Sequence, residues 1–271
     1  MILTYLMIFG LSNFTFAQEE LYPNEELFFE TQKEESIWKE GTSDPLKLFT
    51  AVHANEIHEQ KWNELIEELD HKRSKTKSDY NFLRHIFQKS HKSLLKTYVK
   101  HSTFNDMLLD GKFDCVSGSA TLGMLLDRYG FDYNIIETDF HVFIAVTLDR
   151  KTIILESTLP IGGMITRPSD VQAYLESYKA VEFAQLSSLT QRLGNPEIDL
   201  SDNAIFRKVS LTQLAGLQYY NDAITHFNEQ SFGLASKQLS KAIILYDSER
   251  IKNLRELAIE QAYNVYGYDV K

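Results

Sequence analysis

The sequence predicts an α+β protein in which helical stretches flank a short run of antiparallel strands. From residue 44 to about 109, apolar residues recur at three- and four-residue steps, the period of an amphipathic helix. Between residues 133 and 156, β-branched and aromatic residues dominate, as expected of strands. Residues 210–271 return to the helical period. The chain has 271 residues, 43% hydrophobic and 24% charged, which fits a packed main domain with a smaller appendage.

The charge balance argues against a nucleic-acid partner. The formal net charge is −10, and the richest basic stretch, HKRSKTK at residues 71–77, fits a solvated helix end. We therefore expect no nucleic-acid binding.

The first residues have the composition of an export signal. Residues 1–17 are apolar, carry no charged side chain and end in Thr15-Phe16-Ala17, a small-x-small pattern typical of signal-peptidase sites. The alternative is a buried first helix. With cleavage, the protein is secreted or periplasmic, and residues 18–43 form an acidic lead that is either mobile or one packed helix. No later stretch reaches the roughly 18 apolar residues of a spanning helix, so we expect the mature chain not to span a membrane.

The main domain is predicted over residues 44–209. Asp44 followed by Pro45 indicates a helix start. Further elements are predicted in this order: helices up to Leu109, a helix over 113–129 ended by Gly130, strands over 133–138, 141–148 and 152–156, a helix from Pro168 to about Tyr178, and a strand over 204–209.

The C-terminal segment, residues 210–271, is predicted to be a helical hairpin capped by a helix over 249–266. Ala223, Ala235 and Ala242 have a spacing that resembles a single tetratricopeptide repeat, in which small residues let two helices approach closely. A plain helical hairpin with an alanine seam explains the pattern equally well. In either case the segment must pack on the main domain, because one repeat cannot bury its own apolar face.

Cys115 is the single cysteine and lies in the first turn of the predicted 113–129 helix. It cannot form an internal disulfide, so in an oxidising compartment it must be buried, paired between chains or chemically used. Unsatisfied N–H groups and the helix dipole favour an anion at this position, which predicts a lowered thiol pKa. Asp114 opposes that effect, and we expect its side chain to turn outward or to cap the helix.

His141 and Glu156 are predicted to lie together on the hairpin that follows. If Leu148 pairs with Lys151 across a two-residue loop, Glu156 falls on the same sheet face as His141, one diagonal step away. A nucleophile on a helix start, an imidazole and a carboxylate would then converge.

These residues carry a resemblance to a known family. FDCVSGSATLGMLLDRYG, HVFIAVTL and TIILESTLP are similar to the transglutaminase-like branch of the papain-like cysteine protease fold, over roughly residues 105–165. The resemblance implies a core in which the cysteine helix packs on a small antiparallel sheet. It also implies that Cys115 is the nucleophile, His141 the general base and acid, and Glu156 the group that orients the imidazole. Aspartate is common at the third position, so glutamate is a departure from the family pattern.

We therefore expect an exported cysteine enzyme that acts on amide or peptide bonds through a thioester, by hydrolysis or acyl transfer. The alternative is a catalytically inactive envelope scaffold that binds a protein or peptide partner through its cleft and C-terminal helices. We expect no cofactor, because Gly162-Gly163 lacks the lysine of a phosphate-binding loop. No metal is expected either, because the spacings of His53 with His58 and of His85 with His91 miss the four-residue helical step.

Overall fold

The computed structural model describes residues 27–41, 44–54, 59–178 and 206–267. The helices are α1 (Gln32–Glu40), α2 (Pro45–Ala51), α3 (Gln60–Lys75), α4 (Asp79–Ser93), α5 (Phe104–Asp110), α6 (Cys115–Arg128), α7 (helical over 168–178), α8 (Leu211–Asn228), α9 (Phe232–Leu245) and α10 (Glu249–Tyr266). The strands are β1 (Thr97–Tyr98), β2 (Lys112–Phe113), β3 (Asp132–Thr138), β4 (Val142–Leu148), β5 (Lys151–Leu155), β6 (Met164–Ile165) and β7 (Phe206–Val209). The predicted α+β class is confirmed.

The main sheet is antiparallel, with strand order β6-β5-β4-β3-β7, and a short parallel pair, β1-β2, lies apart from it. The β4–β5 hairpin pairs Leu148 with Lys151, so the predicted register is confirmed. Asp149 and Arg150 in the turn both have positive φ, as a two-residue type I′ turn requires.

Helices cover both faces of the sheet. Helix α6 packs on β3 and β4 from one side, and α8 packs on α6. On the other side, α7 closes a smaller apolar cluster formed by Ile136, Phe143, Ile154 and Val171. The end of β4 therefore lies between the cysteine helix and α7.

The C-terminal helices pack on the rest of the fold as predicted. Helices α8 and α9 form an antiparallel hairpin that α10 covers, and Ala223, Ala235 and Ala242 are fully buried. Helix α8 contacts both α2 and α6. Glu137 of β3 accepts hydrogen bonds from Arg207 of β7 (2.9 Å) and from Tyr246 and Arg250, which ties the sheet to α9 and α10.

Part of the acidic lead is a packed helix, α1. Thr31 caps it by accepting a hydrogen bond from the Glu34 amide (3.0 Å). Glu34 in turn forms a buried ion pair with Lys241 of α9, with 2.5 Å between Oε1 and Nζ. Residues 27–41 are thus anchored to the C-terminal helices.

The predicted export signal, residues 1–17, lies outside the described residues. Within the described part of the chain, no helix is both long and apolar enough to cross a membrane.

Candidate functional site

The start of α6 is held by a reciprocal capping box. Asp114 accepts hydrogen bonds at Oδ1 from the amide and the hydroxyl of Ser117 (2.8 and 3.0 Å), while Ser117 Oγ accepts one from the Asp114 amide (2.9 Å). Asn221 of α8 donates to the other carboxylate oxygen (3.0 Å). Burial of the Asp114 carboxylate raises its pKa to about 6 despite these donors. The Asp114 side chain caps α6, which is one of the two positions expected for it from the sequence.

Cys115, the first residue of α6, is 9% exposed and lies beside the end of β4. Ser119, one turn later in α6, donates to the carbonyl of Val142 (3.2 Å), which holds the helix against that strand. Burial raises the pKa of the Cys115 thiol to about 12, and the charges of Asp114 and Glu156 add to the rise. The prediction of a lowered thiol pKa is therefore wrong, because desolvation and two nearby carboxylates outweigh the helix N-terminus.

His141 and Glu156 are hydrogen-bonded to each other, at 2.6 Å between Nε2 and Oε2. A carboxylate only accepts hydrogen bonds, so the Nε2–H of the imidazole is the donor. In the neutral ring, Nδ1 then carries the lone pair and is the nitrogen able to take up a proton. Glu156 thus sets the tautomer of His141 despite being one methylene longer than aspartate.

The Glu156 carboxylate is bonded at both oxygens. Its Oε1 accepts from the amide and the hydroxyl of Thr158 (2.8 and 2.6 Å), and its Oε2 accepts from Tyr174 as well as from His141. Burial by itself would raise the pKa of Glu156, but the bond and charge of His141, with Thr158 and Tyr174, bring it below the ordinary value. The side chain is ionised and has little freedom to turn.

Tyr174 and Tyr178, one turn apart on α7, support this pair from the side. The Tyr178 ring stacks on the His141 imidazole, with centroids 5.6 Å apart and planes within 1° of parallel. Tyr174 packs edge-on against Phe143, the β4 residue that shares a face with His141. The sequence analysis missed both tyrosines, although their four-residue spacing on an amphipathic helix could have flagged one polar aromatic face.

Helix α6 can approach Ser157, two residues after the end of β5, only because residue 118 is a glycine. A Cβ at this position would lie 2.6 Å from Ser157 Oγ and 2.8 Å from Ser157 Cβ, so no larger residue fits without a shift. His91 of α4 contacts the Ser157 carbonyl through Nε2 (2.8 Å). The backbone next to Glu156 is therefore fixed from two directions.

Cys115 and His141 line one cleft of about 360 Å³. Its walls come from the start of α6, the β3–β4 turn, α8 and α10, and they include Tyr98, Phe140, Asn221 and Arg250. Phe140 is 78% exposed at the β3–β4 turn. Cys115 and His141 thus line the same cleft, and Glu156 is joined to His141 by a hydrogen bond.

Asn105 does not belong to this site. Its Nδ2 donates to the carbonyls of Thr50 and Val52 (2.9 and 2.7 Å), so it fixes the end of α2.

Asp114→Asn should make Cys115 more reactive, because it removes the negative charge next to the thiol while an asparagine still caps the helix. A decrease of about one unit in the thiol pKa gives about tenfold more thiolate at any pH below that pKa, and hence about tenfold faster alkylation by iodoacetamide. Since the thiolate forms only as pH approaches the pKa, the rate for the unaltered protein should still be rising at pH 10. The Asp114→Asn profile should be displaced to lower pH.

The measurement is the pseudo-first-order rate of Cys115 modification, followed by intact mass from about pH 7 to 10 in folded protein. Asp110→Asn, an exposed change at the end of α5, is the matched control and should leave the profile unchanged. Identical profiles for Asp114→Asn and the unaltered protein would show that Asp114 does not control the thiol.

Comparison of the chain with protein-family models, with curated proteins and with solved structures finds no match. The functional argument therefore depends on the geometry of Cys115, His141 and Glu156.

Proposed function

We propose that this chain is a secreted or periplasmic cysteine enzyme of the transglutaminase-like type, which cleaves amide bonds or transfers their acyl groups through a thioester on Cys115. The observation that carries the proposal is the bond between His141 Nε2 and Glu156. It leaves Nδ1 as the nitrogen that can take up a proton, on a residue that lines the same cleft as Cys115. A strand histidine with only a structural role would not need a carboxylate held by three further hydrogen bonds.

Catalysis would begin from a neutral pair, because the pKa of the buried Cys115 thiol is raised. Sγ attacks the amide carbonyl carbon as its proton passes to His141 Nδ1. The C–N bond then breaks, and His141 gives that proton to the leaving amine, which leaves the thioester. Water or an amine attacks the thioester, transfers its proton to His141, and releases the acyl group as the thiol regains the proton.

Two donors near the thiol suit the negative oxygen that develops during attack. The first backbone N–H groups of α6 have no partner inside the helix, and that of Cys115 is the nearest to the sulfur. Tyr98 lines the same cleft, and burial together with the charge of Asp114 raises its pKa to about 12, so it keeps its proton.

The test is acylation by para-nitrophenyl acetate, an activated ester small enough for the cleft. We expect a burst of para-nitrophenolate equal to the enzyme concentration and an acetyl thioester located at Cys115 by mass spectrometry. Cys115→Ala should abolish the burst. Adding glycine methyl ester as an amine acceptor distinguishes acyl transfer from hydrolysis, because transfer yields the acetylated amine. Acetylation of Cys115 no faster in the folded chain than in urea would contradict the proposal.

The second candidate is the inactive scaffold, and the burial and raised pKa of the Cys115 thiol favour it. In that case the cleft binds a protein or peptide without chemistry. The burst experiment separates the two functions, because a scaffold gives no thioester.

A further inference from the structure

A second group of ligating side chains lies between the end of α2 and the middle of α8. Nε2 of His53 is 2.9 Å from Asp222 Oδ1, and Nε2 of His226 is 3.5 Å from Asp222 Oδ2. Each of the three residues can place one ligand atom within 4.8 Å of the other two. None of them belongs to the lining of the Cys115 cleft.

The backbone presents these side chains in fixed positions. Asp222 and His226 are four residues apart, so they share one face of α8. Gln218, one turn earlier, donates to the carbonyl of Phe49 (2.9 Å) and locks α8 to α2. Asn105 donates to the carbonyl of Val52 (2.7 Å), which holds the turn where His53 has a φ of 54°.

Two of the ligand atoms are buried without a hydrogen-bond partner: Oδ2 of Asp222 and Nε2 of His226. Asp222 as a whole is only 3% exposed. A buried carboxylate oxygen without a donor is costly, and buried polar atoms in folded proteins nearly always have a partner. The two atoms are 3.5 Å apart, an ion-pair contact that makes no hydrogen bond, and a bound species that contacts both would satisfy them.

We propose that His53, Asp222 and His226 form a binding site for one divalent transition-metal ion, with Zn²⁺ as the ion that the geometry fits. Zinc bonds to imidazole nitrogen and carboxylate oxygen are about 2.0–2.2 Å long, so two ligand atoms of a tetrahedral zinc lie roughly 3.4 Å apart. The observed 3.5 Å between Asp222 Oδ2 and His226 Nε2 matches that edge. Two imidazoles exclude Ca²⁺ and Mg²⁺, which require oxygen ligands.

The bound ion would connect the turn after α2 to α8. Asn221, the residue before Asp222 on α8, donates a hydrogen bond to Asp114, the cap of α6. An ion that holds α8 in place would therefore also stiffen the start of α6, which forms one wall of the cleft. The three protein ligands leave one position of a tetrahedral zinc for water. The role is independent of whether Cys115 is catalytic.

The experiment is calorimetric titration of Zn²⁺ into untagged, chelator-treated protein that carries Cys115→Ser, which removes the thiol as a competing ligand. We expect one ion per chain and, with Co²⁺ as the probe, the intense visible absorption of tetrahedral coordination. A hundredfold excess of zinc over its dissociation constant should raise Tm by about 5 °C or more. Ca²⁺ should give no heat and no change in Tm.

Two variants locate the site. His226→Ala should weaken zinc binding at least tenfold, and His53→Asn should do the same while tolerating the positive φ at that position. His71→Ala, a change at an exposed histidine of α3, is the matched control and should bind zinc like the parent protein. If His226→Ala fails to fold, His53→Asn decides, because the His53 side chain is 41% exposed and asparagine is the smaller residue. Absence of zinc binding, or binding unaltered in His53→Asn, would overturn the proposal.

Discussion

His141→Ala is expected to lower the rate of Cys115 acylation by para-nitrophenyl acetate by about 10²- to 10⁴-fold. The thiol pKa is about 12, so at neutral pH almost no thiolate exists and the reaction needs a base at the moment of attack. His141, whose Nε2 is bonded to Glu156, lines the same cleft and is the base in the proposed mechanism. The check is the pre-steady-state burst rate at about pH 7.5, with the folded state verified by circular dichroism.

Glu156→Gln tests the orienting role in the same assay. Glutamine can donate a hydrogen bond to His141 Nε2, which would place the ring proton on Nδ1 and remove the basic nitrogen from the cleft. We expect the acylation rate of Glu156→Gln to fall nearly as far as that of His141→Ala. The double variant should be only slightly slower than His141→Ala, because the two residues act as a unit. Tyr80→Phe, an exposed change on α4, is the control for surface substitution. A burst rate in His141→Ala equal to that of the unaltered protein would exclude His141 as the base.

Lys241→Met should lower the free energy of unfolding by about 3–5 kcal/mol, because it leaves the Glu34 carboxylate buried and without its cation. The side chains of Lys241 and Glu34 are only 1% and 4% exposed, and methionine keeps the length and apolar stem of lysine. The Lys241 ammonium also lies over the rings of Phe29 and Tyr219, at 5.5 and 5.1 Å from their centroids, and those contacts are lost too. Urea unfolding followed by tryptophan fluorescence measures the change.

The matched control is Lys39→Met, which breaks the exposed pair of Lys39 with Glu35 on the same helix α1, where Lys39 is 69% exposed. Exposed pairs contribute about 1 kcal/mol or less. Replacing both members of the buried pair, Glu34→Leu with Lys241→Met, should recover much of the loss because no unpaired charge is left. Equal effects of Lys241→Met and Lys39→Met would show that the buried pair does not anchor α1.

Local rules were enough to predict most of the elements. Asp44 with Pro45 starts a helix because the side chain accepts a backbone N–H and proline needs no donor there, and the structure has that cap, with 3.0 Å between Asp44 Oδ1 and the Leu46 amide. The β4–β5 register followed from a two-residue turn and the period of two along a strand. That register was enough to place His141 and Glu156 on one face.

Residues far from the site in sequence were not predictable in the same way. Tyr174, Tyr178 and Asn221 reach the site only because α7 and α8 pack against the hairpin and the cysteine helix. His53 lies near Asp222 and His226 only because the end of α2 packs on α8. The spacing of histidines along the sequence does not reveal this three-residue cluster. The Asp-x-x-x-His step on α8 was the one local signal of that cluster.

The sequence by itself determined the α+β order of elements, the helix with Cys115 in its first turn and the hairpin that carries His141 and Glu156, since each depends on neighbours within a few residues. Only the tertiary structure decided whether the Cys115 thiol is protonated at neutral pH. The helix N-terminus favours a thiolate, but the packing of α6 against β4 removes water from Cys115 and brings two carboxylates near it. Desolvation depends on everything that surrounds a group in space, so the pKa of Cys115 could not be obtained from the residues next to it in the chain.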